Sequence, residues 1–308
     1  MVSKVLIIVL NWNGYSDTTE CVKSLQEITY PEYEILLVDN GSTDGSEKIL
    51  REKFPKLSLI QTGENLGYAQ GNNIGIQYAL DKGAEYIVLI NNDTIVDPEF
   101  VTELVQVAVK DPLIGILSSK IYFYKNPNVL WFAGATFNLK TGWSKHKGYN
   151  ERDTGQHDEI KEIDRACGCA MMVSKKVCKA VGLMNPDYFC YGEEVDWSIR
   201  AKKAGFKVAF VPKSKVWHKV SGSTGGAKSG NYIYYALRNT LKCLNDNEPY
   251  KYKMQNLIRE VFVIVLFVGS LFTLKIPKTI GIKKIYQGAS DYYLCRFGKQ
   301  ISQNDHRF

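Results

Sequence analysis

Two short runs of acidic and amide side chains stand out for the chemistry they could do. Asn91-Asn-Asp93 breaks off an apolar run, Tyr86-Ile-Val-Leu-Ile90, and Gly192-Glu193-Glu194-Val-Asp196 packs three carboxylates into four residues. A carboxylate beside amides offers hard oxygen ligands to a divalent cation, which keeps waters and borrows phosphate oxygens from its substrate. Three carboxylates this close repel one another and raise at least one pKa, which suits a general base working near neutrality. On a helix Glu193, Asp196, Trp197 and Arg200 share a face while Glu194 points roughly 100° away. Glu194 is then directed to a substrate, and Arg200 is left to pair with Asp196. The competing reading is electrostatic, since acids at a helix start and Lys202 and Lys203 near its end complement the helix dipole. His218, one of four histidines, follows the strand-like Val216-Trp217 and is either a metal ligand or an ordinary core histidine.

These groups need a scaffold, and the first hundred residues describe one. Residues 86–90 read as a strand buried on both faces, with Asp97 and Pro98 as N-cap and first position of the next helix. Earlier runs repeat the pattern. Residues 5–10 end in Asn11-Trp12-Asn13-Gly14 with a helix to about residue 27, residues 34–38 end in Asp39 to Asp44, and residues 57–61 end in Gly63 to Gly67. This alternation predicts right-handed βαβ crossovers and a mostly parallel central sheet flanked by helices. Its four polar loops then share the sheet edge where ligands bind. Gly67, Gly71 and Gly75 lie on one helix face and permit close packing, and Gly83 is placed as a C-cap. Such an edge suits a nucleotide: backbone N–H groups for phosphate, the Trp12 ring for a base, carboxylates for ribose hydroxyls. No GxGxxG follows the first strand, which counts against NAD or FAD.

Beyond residue 112 the alternation fades. Short strands are expected at residues 115–118, 121–124 and 129–137, and a loop or hairpin excursion over 140–158. A helix over 175–181, another ending at Gly205 and a strand over 207–211 follow.

Across 308 residues, 45% hydrophobic and 23% charged content is that of a globular protein. Seven cysteines without a CxxC pair make no disulfide framework, and Cys167-Gly-Cys169 is too tight for the common zinc spacings. A reduced, cytoplasmic setting fits. The apolar run at residues 5–10 is short for a signal peptide and is expected to be a strand. Charge is uneven: residues 275–308 carry Lys275, Lys278, Lys283, Lys284, Arg296, Lys299 and Arg307 against Asp291 and Asp305. Just before them, residues 261–274 are apolar except for Gly269, Ser270 and Thr273. As a helix that stretch covers roughly 21 Å, short of the roughly 30 Å hydrocarbon core. Either it lies in the interface of an anionic membrane surface, or it is a buried helix or a homodimer contact. Few aromatics interleave the basic tail, which argues against a nucleic-acid partner.

Five motifs taken together resemble those of family 2 glycosyltransferases, in the rhamnosyltransferase-like branch. They are Asn11-Trp-Asn-Gly, Val38-Asp-Asn-Gly-Ser-Thr-Asp-Gly-Ser46, Glu64-Asn-Leu-Gly-Tyr-Ala-Gln-Gly-Asn-Asn73, Asn91-Asn-Asp93 and Tyr191-Gly-Glu-Glu-Val-Asp-Trp197, in that order. The resemblance covers residues 4–240. It implies a GT-A fold over residues 1–240, with 241–308 as a helical, basic, membrane-associating segment. It further implies inverting transfer from a nucleoside-diphosphate sugar, rhamnose among the sugars, to a glycan or polyprenyl-linked acceptor in cell-surface polysaccharide synthesis. A Mg²⁺ or Mn²⁺ ion and a position on the cytoplasmic membrane face belong to the same implication.

By that resemblance Asn11, Trp12 and Asn13 form the base-binding loop, Asp39 and Asn40 meet base and ribose, and Gly67 belongs to the donor site. Asn92 and Asp93 stand at the DxD-type motif, with Asp93 the metal contact. His218 is a second metal contact and Glu194 the catalytic base. Arg238 either assists the diphosphate or is structural. Amide replaces the first Asp of the metal motif, and Glu stands where Asp is commoner for the base. These departures support an alternative, a catalytically inactive nucleotide-binding scaffold of the same fold.

Overall fold

Four strands built for burial on both faces come first in the chain. The computed structural model describes residues 2–220, 230–248, 252–272 and 277–300. Strands β1 (Val5–Asn11), β2 (Tyr33–Asp39), β3 (Ser58–Gln61) and β4 (Tyr86–Asn91) are parallel in the order β3-β2-β1-β4. Helices α1 (Tyr15–Gln26), α2 (Ser46–Lys53) and α3 (Gly67–Asp81) connect them. Central strand β1 is covered on both faces, and Val5 to Val9 are fully buried. The glycine spacing of α3 lets it approach β1: a Cβ on Gly75 would stand 2.8 Å from Ile8 Cγ2, and one on Gly71 2.8 Å from Leu10 Cδ1. Gly83, at φ +79°, follows the end of α3 in the left-handed region that glycine favours.

The later strands make the sheet mixed. They are β5 (Thr94–Val96), β6 (Ile114–Phe123), β7 (Asn126–Phe132), β8 (Ala135–Phe137), β9 (Ser144–His146), β10 (Lys161–Glu162), β11 (Ala170–Ser174) and β12 (Lys207–His218). The full order is β10-β12-β6-β11-β4-β1-β2-β3, with β11 antiparallel to both β4 and β6. Parallel pairing is therefore confined to the first four strands and to β6 with β12. Helices α4 (Phe100–Lys110), α5 (Lys175–Val181) and α6 (Glu193–Lys203) accompany this half. The excursion over 140–158 contains β9, which pairs with β8 as a hairpin.

The strand expected over 129–137 is divided between β7, which pairs with β6, and β8, which pairs with β9, and three other expected boundaries move. Two short strands at 115–118 and 121–124 are one strand, β6, because its polar middle is buried with partners. Ser119 Oγ meets Ser214 Oγ at 2.7 Å, and Lys120 Nζ donates to Asp153 at 2.9 Å and Asp158 at 2.5 Å. Strand β12 continues past Val211 to His218 because its end pairs with both β5 and β6. The helix expected at Asp97 begins at Phe100, since Asp97 Oδ1 accepts from the Glu99 N–H at 2.9 Å and makes a turn first.

Three C-terminal helices, α7 (Gly230–Asn247), α8 (Lys253–Ser270) and α9 (Lys278–Tyr293), share their own apolar cluster. The apolar run expected over 261–274 thus falls mostly in a helix that starts at Lys253 and ends at Ser270; residues 273 and 274 of the run lie outside the described residues. On the inner face of α8, Glu260 accepts hydrogen bonds from Tyr292 at 2.7 Å and Tyr293 at 3.0 Å.

Helix α7 also holds the loop that leads into α6. Phe189 (φ 60°) and Tyr191 (φ 66°) sit in the left-handed region, which disfavours L-residues by roughly 1–2 kcal/mol each. Asn239 Nδ2 donates to the carbonyls of Tyr188, Cys190 and Tyr191 at 2.8, 2.9 and 2.7 Å. Arg238, fully buried, donates to the carbonyls of Asp187, Tyr188 and Gly298. Its other hydrogen bonds go to the side chains of Asn239 and Tyr234, so its donors are taken up within the protein and Arg238 is structural. Replacing Asn239 with Ala strips those carbonyls of their donor, and urea unfolding should show a stability loss of roughly 1–3 kcal/mol. An unchanged midpoint would refute the clasp.

Candidate active site

The carboxyl ends of β1 to β4 open into a cleft of about 1960 Å³, roughly twice the upper range for a single small-ligand pocket. Two substrates can therefore share it. Trp12, Asn40, Gly67, Asn92, Asp93, Glu194 and His218 all line it. These residues span more than two hundred positions of sequence and meet because the sheet gathers strand ends on one edge.

Asp93 occupies the turn between β4 and β5, and His218 ends β12. Antiparallel pairing sets Thr94 opposite His218, Ile95 opposite Trp217 and Val96 opposite Val216. This register carries the imidazole to the acid: His218 Nε2 lies 3.0 Å from Asp93 Oδ1. Both residues are buried, at 7% and 8% exposure, while still bordering the cleft. The Trp131 ring stands edge-on to the imidazole at 4.9 Å. A buried nitrogen of His218, Nδ1, finds no hydrogen-bond acceptor or donor. Among the described residues no group of three or more His, Cys, Asp or Glu side chains converges. The pair is thus a two-donor set, of the kind completed by phosphate oxygens and water.

Three expected nucleotide contacts do not line the cleft. Asn11 and Asp39 are fully buried; Asn11 Nδ2 donates to Asp39 Oδ2 at 2.7 Å and to Ser42 Oγ at 3.1 Å. The other oxygen of Asp39 accepts from the Ser42 N–H at 2.9 Å and from Gln61 Nε2 at 2.7 Å. Asn13, exposed with φ 51°, accepts from the Thr43 N–H at 2.7 Å. Their side chains tie the first polar loop to the second, because a carboxylate buried between strand ends must be satisfied by neighbours. Trp12, Asn40 and Gly67 remain at the surface of the cleft. Gly67, at φ +80°, lets the Phe189 carbonyl approach: a Cβ there would lie 2.4 Å from that oxygen. Asn40 Nδ2 donates to the Gly67 carbonyl at 3.1 Å. Asn92 Nδ2 donates to Thr18 Oγ1 at 2.9 Å, which fixes the turn before Asp93.

The acidic run divides by burial. Arg200 Nε pairs with Asp196 Oδ2 at 2.7 Å on the inner face, as the helical spacing requires. Glu193 is buried at 4% exposure with Oε2 unpartnered. Burial, and then the Glu194 charge, push its carboxyl well above the usual carboxylate range. The raised pKa expected of this cluster thus falls on Glu193. Glu194 is the more open of the two: Oε2 accepts from the Gly192 N–H at 3.2 Å, and Oε1 lies 3.6 Å from the Arg165 guanidinium. Arg165 is itself oriented by Ser144 Oγ at 2.8 Å and the Ala166 carbonyl at 3.2 Å. Arg165, like Asn239, escapes a reading of the sequence. Its one signal is its place as the last charge before the apolar run Ala166 to Val173.

The sequence profile described as Glycosyl transferase family 2 matches residues 6–182, more than half of the chain. A low-salt glycan biosynthesis hexosyltransferase, Agl10, of Haloferax volcanii is 26% identical over 250 residues, spanning 80% of this chain and 76% of that protein. An N-acetylglucosaminyl-diphospho-decaprenol L-rhamnosyltransferase of Mycobacterium tuberculosis is 28% identical over 222 residues, 66% of this chain and 71% of that one. In fold the chain is similar to the mannosyltransferase PcManGT from Pyrobaculum calidifontis, solved with GDP-Man and Mn²⁺. The TM-score is 0.60 at 14% identity, covering 96% of this chain and 88% of that one. The nucleotide-type sheet edge, the acidic helix start and the profile agree, and this chain belongs to glycosyl transferase family 2.

Proposed function

We propose that the protein transfers a sugar, with rhamnose the candidate, from a nucleoside-diphosphate donor to a hydroxyl of a glycan or polyprenyl-linked acceptor in cell-surface polysaccharide synthesis. The observation that carries this reading is that Glu194 and the Asp93–His218 pair face one cleft with room for two substrates. The activity for which the mycobacterial relative is named, rhamnosyl transfer to a diphospho-decaprenol-linked sugar, supports the choice of donor and acceptor.

Glu194 removes the proton from the acceptor hydroxyl as its oxygen bonds to the anomeric carbon and the bond to the diphosphate breaks. Attack from the face opposite the leaving group inverts that carbon. Arg165, 3.6 Å away, keeps the Glu194 carboxylate aimed. Trp12, Asn40 and Gly67 meet the donor nucleotide, and Asn11, Asn13 and Asp39 hold the loops that present them. Asp93 and His218 would hold a Mg²⁺ or Mn²⁺ ion, which when bound neutralises charge on the departing diphosphate.

Residues 1–240 are assigned the transfer and 241–308 the attachment to the cytoplasmic membrane face. The outward stripe of α8 is apolar, with Met254, Ile258, Val261, Val265 and Val268 all exposed. Among the described residues no helix is long and apolar enough to cross a membrane. A helix of this kind lies in the interface, with Lys278 at the start of α9 toward anionic headgroups. Pelleting with anionic but not neutral vesicles is the expected behaviour; a concentration-dependent homodimer indifferent to lipid would replace it.

Donor turnover should fall by at least about a hundredfold in Glu194→Gln while nucleotide binding persists. Full activity in that variant ends the base assignment, and no turnover of any nucleotide sugar by the native chain favours the inactive scaffold. Asp93→Asn and His218→Ala should each weaken Mn²⁺-dependent nucleoside-diphosphate binding, measured by calorimetry, by more than the roughly tenfold that an outer-shell partner is worth. Glu193 is told apart by pH. With its folded pKa raised, it adds no penalty in acid and destabilises progressively as pH climbs from the ordinary carboxylate value through the raised one. Glu193→Gln should therefore raise the melting temperature at pH 8 and leave it nearly unchanged at pH 4. An equal shift at both values would contradict the burial argument.

A further inference from the structure

Helix α9 builds one wall of the same cleft. Lys283 and Lys284, with Lys299 beyond the helix, line it together with Gln287 and Gln300. Lys284 is half-buried, its amine donates to Gln300 Oε1 at 3.1 Å and sits 5.7 Å from the centre of the Tyr234 ring. Desolvation, and then the neighbouring charge of Lys283, lower its pKa.

Lys283 and Lys299 are exposed. Three lysines set deep elsewhere in the protein are answered by acids. Lys120 pairs with Asp153 and Asp158, Lys219 with Asp17 and Glu20, and Lys242 with Asp187 and Asp246. Among the described residues no carboxylate lies within ion-pair distance of Lys283, Lys284 or Lys299. Taking an ammonium out of water beside a second one is unfavourable unless an anion completes the site. The sheet-side pair Asp93 and His218 is the station for the donor diphosphate, so a separate basic wall points to a second phosphate group. On the outside of α9, Ile282 and Tyr286 are exposed and extend the apolar character of the α8 stripe. A ligand that joins a diphosphate to a long apolar chain matches that order of surfaces, charged within the cleft and apolar at its outer edge.

We propose that Lys283, Lys284 and Lys299 form an acceptor subsite that grips the diphosphate of a polyprenyl-diphosphate-linked sugar while its chain leaves along α8 and α9. This deepens, and rests on, the glycosyltransferase reading of the cleft.

The test measures binding of farnesyl diphosphate, farnesol, and UDP, dTDP or GDP with Mn²⁺ to the full chain, by calorimetry and tryptophan fluorescence. Lys283→Gln with Lys284→Gln should weaken farnesyl diphosphate by roughly tenfold to a hundredfold, leaving nucleotide and farnesol binding unchanged. The matching pair of Arg substitutions should keep it. Asp93→Asn should do the reverse, losing nucleotide and keeping farnesyl diphosphate. Loss of nucleotide binding in the Gln variant would assign the lysines to the donor and overturn the proposal. So would native affinity for farnesyl diphosphate in that variant, or none in the native chain. Lysine-dependent farnesyl diphosphate binding by a chain that takes no nucleotide would uphold the subsite and sink the donor reading instead.

Discussion

The clasp of Arg238 and Asn239 on the backbone of residues 187–191 is the interaction on which the active-site geometry depends. Two residues of that loop sit in a backbone region disfavoured for side-chain-bearing residues, and such strain persists only where surroundings over-determine it. Asn239 supplies hydrogen bonds to three carbonyls of that loop. From the loop, the Phe189 carbonyl accepts from the first amides of α3, which the absence of a side chain at Gly67 permits. One segment thus ties the C-terminal helices, the nucleotide-type half of the sheet and the helix bearing Glu193 and Glu194.

Electrostatics within the cleft follows from where water reaches. Glu193 and Glu194 are adjacent in sequence and both border the cleft, yet one is buried with an unpartnered oxygen and the other faces Arg165. The same contrast separates the lysines. Those that support the fold have paired acids, whereas those on α9 stand toward the cleft without one among the described residues. A charge left unanswered inside a cleft belongs to a ligand more readily than to the fold.

Much of this was legible beforehand. Short apolar runs ending in Asn, Asp and Gly gave the four parallel strands and the binding edge, since burial on both faces and turn chemistry are local properties. The glycines of α3 announced its approach to β1 for the same reason: a missing side chain is a property of the residue. Patterning failed where polarity was buried. Ser118, Ser119 and Lys120 interrupt β6 in sequence only, because their partners, Ala170, Ser214, Asp153 and Asp158, arrive from distant segments. Asn11 and Asp39, expected at the nucleotide, are hydrogen-bonded to each other, a pairing that no local pattern announces.

The sequence by itself determined the fold class, the ends of the first four strands and the polar residue types at the binding edge, because periodicity, turn residues and motif order are encoded over a few positions. Only the tertiary structure decided which acid is buried, that His218 reaches Asp93, that Arg165 faces Glu194 and that α9 walls the cleft. Those facts depend on strand register and on helix packing across a hundred or more residues, and on the solvent access that packing leaves. Neither quantity is carried by any local stretch of chain.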